Sequence, residues 1–208
     1  MSTVLFIKAN DRDIEQAVSV KLYHAFLDSY KQSHPEDEVI ELDLFKQELP
    51  YMNADMINGN FKAARGFDLT DAEKAAVEVS GKYIDQFLAA DKVVFGFPLW
   101  NLTIPAVLHT YIDYIYQAGK TFKYTSEGPV GLIPDKKVAL LNARGGVYSE
   151  GPAAAAEMSH NYVKNIMSFF GVTQFTDVIV EGHNQFSDKA AEIIGNGVER
   201  AQKAAVSF

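Results

Sequence analysis

The sequence has no cysteine. That absence excludes disulfides, thiolate metal sites and cysteine nucleophiles, and it suits a reducing compartment. Cations are in deficit: 19 Lys and Arg stand against 27 Asp and Glu, for a formal charge of −8. Nucleic-acid phosphates demand clustered Lys and Arg, so no such partner is expected. The acidic excess reads as a solvated surface. No run approaches the ~18 to 20 apolar residues of a membrane helix. The opening stretch Met1-Ser2-Thr3-Val4-Leu5-Phe6-Ile7 carries no basic leader or cleavage site, and its apolar run has strand length. Neither the GxGxxG dinucleotide fingerprint nor the P-loop pattern occurs. His24, His34, His109, His160 and His183 lack metal-ligand spacing, so no metal is expected. What remains is a soluble, cytoplasmic protein that engages no membrane.

What is present is a β/α alternation. At 208 residues and 48% hydrophobic content, the chain suits one domain, 1–208, with a full core. Val4 to Ile7 is a continuous apolar run, as in a strand covered on both faces. A helix follows with Val18, Leu22, Ala25, Phe26 and Ser29 on one face, and stops before His34-Pro35. Val39 to Leu44 makes a second strand. Thr70-x-x-Glu73 is a capping box opening a helix that presents Val77, Ile84, Phe87 and Leu88. Val93 to Phe97 and Lys137 to Asn142 are the third and fourth strands, and Val178 to Val180 the fifth. Between the last two, a helix turns Met158, Tyr162, Ile166, Phe169 and Phe170 inward; a final helix presents Ala191, Ile194, Val198, Ala201 and Ala205. Strands interleaved with helices predict a parallel, doubly wound sheet.

Ligands bind such sheets outside the carboxyl ends of the strands, and three of those ends carry unusual chemistry. After the third strand, Pro98-Leu99-Trp100-Asn101-Leu102-Thr103-Ile104-Pro105 is stiffened by two prolines and holds the only tryptophan. Backbone N–H groups, an aromatic plane and one amide suit a planar heterocycle; the same loop also suits a buried connection with Trp100 as core filler. After the first strand, Asn10, Arg12, Gln16, Ala17, Val18 and Ser19 lead into a helix N-terminus, where free N–H groups favour an anion; taken alone the loop equally suits an ordinary helix start. After the fourth, Ala143-Arg144-Gly145-Gly146 allows close backbone approach to a ligand, or makes a plain tight turn into the helix after Glu150-Gly151-Pro152. Together an anion site and two heterocycle-hugging loops match a flavin mononucleotide. Glu181-Gly182-His183-Asn184 either closes this site from the side or is a loop without chemistry. Two connections, Phe45 to Leu69 and Ala118 to Pro134, exceed the usual ~2 to 6 residues and are rich in aromatics, which points to function or an oligomer contact.

Four motifs carry a resemblance: Pro98-Leu99-Trp100-Asn101-Leu102, Gly119-Lys120-Thr121-Phe122-Lys123-Tyr124, Gly128-Pro129-x-Gly131-Leu132 and Ala143-Arg144-Gly145-Gly146. Through them the chain resembles, over nearly its whole length, the FMN-dependent NADH azoreductases, also described as NADH:quinone oxidoreductases. Where the family often reads Pro-Met-Tyr-Asn-Phe, Leu99, Trp100 and Leu102 keep apolar or aromatic character around Asn101. Ala143 replaces the family's frequent serine, and Ala17-Val18-Ser19 replaces Ser-x-Ser, leaving Ser19, Gln16 and backbone N–H groups for the phosphate.

The resemblance implies a flavodoxin-like, five-stranded parallel sheet of order 2-1-3-4-5 with helices on both faces. It further implies a homodimer with one FMN per subunit, NADH as donor, and a quinone or azo compound as acceptor in ping-pong turnover. Hydride transfer would belong to FMN, with no catalytic side chain. Asn10, Gln16, Ala17, Val18, Ser19, Pro98 to Leu102 and Ala143 to Gly146 would bind the cofactor, while Tyr124 and Phe169 would line the substrate face. Phe169 also sits on the apolar stripe of its helix, which suits a core role. Arg144 and Lys123 are the cations that could meet an extra phosphate on the donor. The alternatives are a flavodoxin-like electron carrier, which would need no extra aromatic loops, and a nitroreductase-type flavoprotein. A receiver-like signalling module would place an aspartate after the third strand, where Pro98 stands.

Overall fold

The computed structural model describes residues 1–208. Strands β1 (Thr3–Lys8), β2 (Glu38–Asp43), β3 (Lys92–Pro98), β6 (Lys137–Arg144) and β7 (Gln174–Glu181) form one sheet in the order β2-β1-β3-β6-β7. All four pairings are parallel. Among these five strands the order is 2-1-3-4-5, as expected. Between β3 and β6, β4 (Phe122–Thr125) and β5 (Gly128–Gly131) make a separate antiparallel hairpin.

Strand alternation sorts side chains onto two cores. Leu5, Ile7, Val93, Phe95, Val138 and Leu140 join the larger cluster. It is covered by α3 (Asp71–Ala89), α4 (Ala106–Ile115) and α5 (His160–Phe169). Val4, Phe6, Val94, Ala139 and Leu141 face the other cluster, covered by α1 (Val18–Ser33) and α6 (Ala190–Ser207). Both faces are therefore buried, which is why the central strands read as unbroken apolar runs. Gly197 lets α6 sit on β7, since a Cβ there would stand 2.1 Å from Val180 Cγ2.

Several helix faces differ from the sequence expectation. In α6 the core side is Ile193, Gly197, Val198, Ala201, Ala204 and Ala205; Ala191 is exposed and Ile194 lies outside the core. Met158 precedes α5 and is 56% exposed, while Val163 and Met167 are fully buried. The apolar stripes are wide enough that either rotation satisfied the pattern.

The long connection after β2 is not a plain loop: it contains α2 (Ala54–Ala63). Asn53 caps it, accepting from the Met56 N–H at 3.0 Å. The capping box on α3 is present, with Glu73 N–H donating to Thr70 Oγ1 at 3.2 Å and Thr70 N–H to Glu73 Oε2 at 2.8 Å. Lys62 Nζ meets the same buried carboxylate at 2.6 Å, tying α2 to α3. The β4–β5 hairpin likewise occupies the second long connection. Gly131 touches the backbone of Phe170 and Gly171 so closely that a Cβ would stand 2.2 Å away.

Candidate active site

Parallel pairing brings the carboxyl ends of β1, β3 and β6 side by side: Lys8 pairs with Gly96, and Pro98 with Ala143. Ala9 N–H donates to the Gly96 carbonyl at 2.9 Å, fixing the first loop against β3.

In that first loop Asn10 and Ser19 are each 2% exposed and joined by Asn10 Nδ2 donating to Ser19 Oγ at 2.9 Å. Asn10 Oδ1 accepts from the Arg12 N–H at 3.0 Å. Ala17 is the extended N-cap of α1 and offers no side chain to the helix end, whose first turn has no acidic residue. The N–H groups of Val18 and Ser19 consequently donate to no protein acceptor. Together with the helix dipole they favour an anion. Gln16 and Arg12 are exposed at the loop rim.

The β3 loop is a tight turn. Asn101 and Leu102 have φ of 50° and 68°, a left-handed conformation that costs of order 1–3 kcal/mol per non-glycine residue. Leu102 O accepts from Met158 N–H at 3.0 Å, and Leu99 N–H reaches the Ala143 carbonyl at 2.9 Å. The N–H groups of Asn101 and Leu102 have no protein partner. Trp100 is half-buried and edge-on to Phe45, with centroids 6.4 Å apart, so it is not core filler.

In the β6 loop the N–H groups of Gly145 and Gly146 are likewise unpaired, whereas the Gly145 carbonyl accepts from Asn184 and Gln185 N–H at 3.0 and 3.1 Å. A Cβ on Gly145 would stand 2.4 Å from Asn184 Nδ2, so a larger residue there would have to displace the Asn184 side chain. Between the two loops opens a groove of about 480 Å³ lined by Leu99, Asn101, Leu102, Gly145, Gly146, Tyr148, Asn184 and Gln185.

The Arg144 side chain does not reach this groove. It is 3% exposed and pairs with Glu157 Oε1 at 3.4 Å and Glu181 Oε2 at 3.0 Å. Its Nη2 donates to Ser149 Oγ at 2.8 Å. Burial would raise the Glu157 pKa, but the Ser159 hydroxyl and the N–H groups of Asn161, His160 and Ser159 outweigh it and hold the carboxyl below its ordinary range. Glu181 is lowered in the same way, burial opposing and the Tyr148 N–H, Ser149 and Arg144 prevailing. Burial alone pushes His183 down.

A family model described as flavodoxin-like fold matches residues 2–205. The chain is 70% identical, over all 208 residues of both chains, to FMN-dependent NADH:quinone oxidoreductase 4 of Bacillus cereus. It superposes on a crystal structure of azoreductase from Bacillus anthracis with a TM-score of 0.98, at 70% identity and full coverage of both chains. The chain belongs to the FMN-dependent NADH:quinone oxidoreductase family. A more distant member, an FMN-dependent NADH-azoreductase from Bacillus anthracis solved in complex with FMN, matches at 30% identity with a TM-score of 0.90. That match covers 99% of this chain and 98% of the other.

The structure places the loop residues named from the sequence, Asn10, Gln16, Ala17, Val18 and Ser19, Pro98 to Leu102 and Ala143 to Gly146, at adjacent strand ends; of these Leu99, Asn101, Leu102, Gly145 and Gly146 line the groove. Tyr124 and Phe169 do not line the groove of their own chain. Tyr124 is 71% exposed on β4, edge-on to Phe122 at 5.4 Å. Phe169 is half-buried and stacks on Tyr116 with centroids 5.4 Å apart and planes at 12°. Sequence reasoning missed Tyr148 and Gln185 as lining residues. Asn184 had a signal, its place just after the last strand of the sheet, where ligand-facing loops gather. No helix is long and apolar enough to cross a membrane.

Proposed function

We propose that this chain is a single FMN-binding domain that uses NADH to reduce quinones and aromatic azo compounds, working as a homodimer in the cytoplasm. One observation carries the reading. The N–H groups of Val18, Ser19, Asn101, Leu102, Gly145 and Gly146 all lack protein acceptors and stand at three adjacent strand ends, and the last four belong to residues that line one groove. Orphan donors of this kind are usually satisfied by ligand or solvent.

The residues present fit the cofactor. Val18 and Ser19 N–H groups, with the Ser19 hydroxyl, Asn10 and Gln16, would hold the phosphate. Asn101 and Leu102 N–H groups would face the N5/O4 edge of the ring system, between Pro98, Leu99 and Trp100. Gly145 and Gly146 N–H groups, following Ala143 and Arg144, would face the pyrimidine edge. The chemistry that FMN supplies when bound is two-electron transfer, from NADH to the acceptor. The protein's part is to bind, orient and tune. Donors aimed at the pyrimidine edge stabilise negative charge there, and their fixed positions avoid reorganisation.

The groove is open, so NADH and the acceptor are proposed to use the same face in turn, which gives ping-pong kinetics. Tyr124 and Phe169, away from the groove of their own chain, are proposed to face the groove of the second subunit. Exposed Tyr51, Ile57, Phe61, Phe67 and Tyr124 support a dimer, since exposed large apolar side chains of this number mark a contact surface. Steady-state rates over a grid of NADH and quinone concentrations test the reading. Parallel double-reciprocal lines are expected; intersecting lines contradict alternate use of one face.

A further inference from the structure

We propose that Arg144, Glu157 and Glu181 are positioning residues, a buried clamp that holds the Gly145–Gly146 turn against the flavin ring while touching neither cofactor nor substrate. The proposal rests on the FMN reading above and adds to it the residues that set the geometry of the pyrimidine-edge donors.

The guanidinium of Arg144 ties three segments together. It joins the end of β6 to Glu157 at the start of α5 and to Glu181 at the end of β7. Through Ser149 it also holds the far end of its own loop. The exposures of the paired side chains are 3% for Arg144, 2% for Glu157 and 21% for Glu181, so water screens these ion pairs little; they act by charge, since Arg144 Nε makes no aligned hydrogen bond.

Each carboxylate is also held by other donors, on the same oxygen that faces the guanidinium. Glu157 Oε1 accepts from Ser159 Oγ at 2.6 Å and from the N–H groups of Ser159 and His160 at 3.0 and 2.8 Å, which anchors it to the helix end. Glu181 Oε2 accepts from Tyr148 and Ser149 N–H at 2.9 and 3.1 Å, which turns the chain back directly after the two glycines.

The turn is locked on its carbonyl side as well. Gly182 N–H donates to the carbonyls of Arg144 and Gly146, each at 3.2 Å, and Val147 N–H reaches Gln185 Oε1 at 3.0 Å. With carbonyls and flanking amides consumed, the N–H groups of Gly145 and Gly146 are what the turn has left to offer the groove. A cation this buried and paired with two carboxylates is also out of reach of an extra phosphate on the nucleotide donor, which removes Arg144 from that role.

Two charges oppose one in this clamp, since both carboxyls are held ionised beside a single guanidinium. Negative charge gathering on the reduced ring is therefore disfavoured by the clamp's net charge while it is favoured by the glycine donors. Removing one carboxylate charge without changing shape separates the two effects.

The test compares wild-type, Arg144→Met, Arg144→Lys, Glu181→Gln and Ser19→Ala proteins for FMN and riboflavin affinity, and for flavin redox equilibrium against a reference dye. Arg144→Met should weaken FMN and riboflavin by the same factor, about tenfold, because only ring contacts change. Ser19→Ala should weaken FMN alone. Arg144→Lys should recover part of the loss. Glu181→Gln, whose amide oxygen still accepts from Tyr148 and Ser149, should shift the redox equilibrium toward the reduced form by about threefold. Should Arg144→Met fail to fold, Glu181→Gln carries the test alone. A folded Arg144→Met with unchanged affinities, or a Glu181→Gln with unchanged redox equilibrium, overturns the clamp while leaving the FMN reading intact. A wild-type chain that takes up no flavin overturns both.

Discussion

Trp100 and Thr103 close on each other: the N–H of each donates to the carbonyl of its partner, at 2.9 and 3.0 Å. The closure forces Asn101 and Leu102 into the left-handed region and strips both of protein acceptors for their N–H groups. Thr103 Oγ1 then anchors the turn to His109 Nε2 at 3.2 Å and to the Met158 carbonyl at 3.3 Å. Strain held in this way by surrounding bonds is typical of binding sites.

The turn makes a sharp prediction about proline. A φ of 50° at Asn101 lies far from the value near −65° that proline imposes. Asn101→Pro should therefore cost more FMN affinity than one lost N–H, roughly 1–3 kcal/mol, would explain. Asn101→Gly keeps both the N–H and the backbone angle, and should retain affinity within about twofold. Titration of the apoprotein with FMN measures both; a large loss in the glycine variant would move the recognition to the Asn101 side chain.

Ser19 has an inward partner, Asn10, besides the phosphate proposed for it. Ser19→Ala removes the acceptor of a buried Asn10 amide, so the variant should lose roughly 1–3 kcal/mol of stability in addition to FMN affinity. Denaturant unfolding of the apoprotein reads the first effect and flavin titration the second. Riboflavin, without the phosphate, should bind far more weakly than FMN. Equal affinities would take the α1 end out of the site.

Acid should attack the α5 junction. The Glu157 carboxyl is held below its ordinary value of 4.5 in the folded chain. A group lowered by folding contributes stability that is fully present above the unfolded value and is lost as pH falls through the folded one. Stability should thus decline below about pH 4.5, and Glu157→Gln should flatten that acid limb. Glu157→Ala should cost about 1–3 kcal/mol at neutral pH, because it leaves the N–H groups of Ser159 and His160 without their acceptor. Urea midpoints measured across the acid range check both; parallel pH curves for wild type and Glu157→Gln would assign the acid limb to other carboxylates.

Tyr124 distinguishes substrate from cofactor contacts. Its exposure on the hairpin, away from the groove of its own chain, requires a second subunit if it is to meet the acceptor. Light scattering should report twice the chain mass of 23.0 kDa. Tyr124→Ala should alter KM for quinone and azo acceptors by more than it alters FMN affinity. A fully active monomer at micromolar concentration would contradict both statements.

The sheet was legible because its strands are buried on both faces: Val4 to Ile7, Val93 to Phe97 and Val138 to Leu141 read as unbroken apolar runs. α2 was not, since only Met56 and Gly59 of its residues are buried and no apolar stripe forms. β4 and β5 are four residues each with one buried side chain between them, and β5 holds two glycines and a proline, which weaken any strand signal. The loops of the site were readable from proline, glycine and helix-start chemistry. The Arg144 clamp was not, because Glu157 and Glu181 come from other elements, and only the register of β6 on β7 brings Arg144 beside Glu181. The role proposed for Tyr124 and Phe169 would depend on a second chain, which no local pattern encodes.

The most direct test of the account is the visible absorption spectrum of the purified protein, saturated with FMN and gel-filtered, before and after anaerobic NADH. The account predicts a flavin band that travels with the protein, bleaches with NADH and returns when a quinone is added. A colourless protein that retains no FMN, or a flavin band that NADH leaves unchanged, would contradict it.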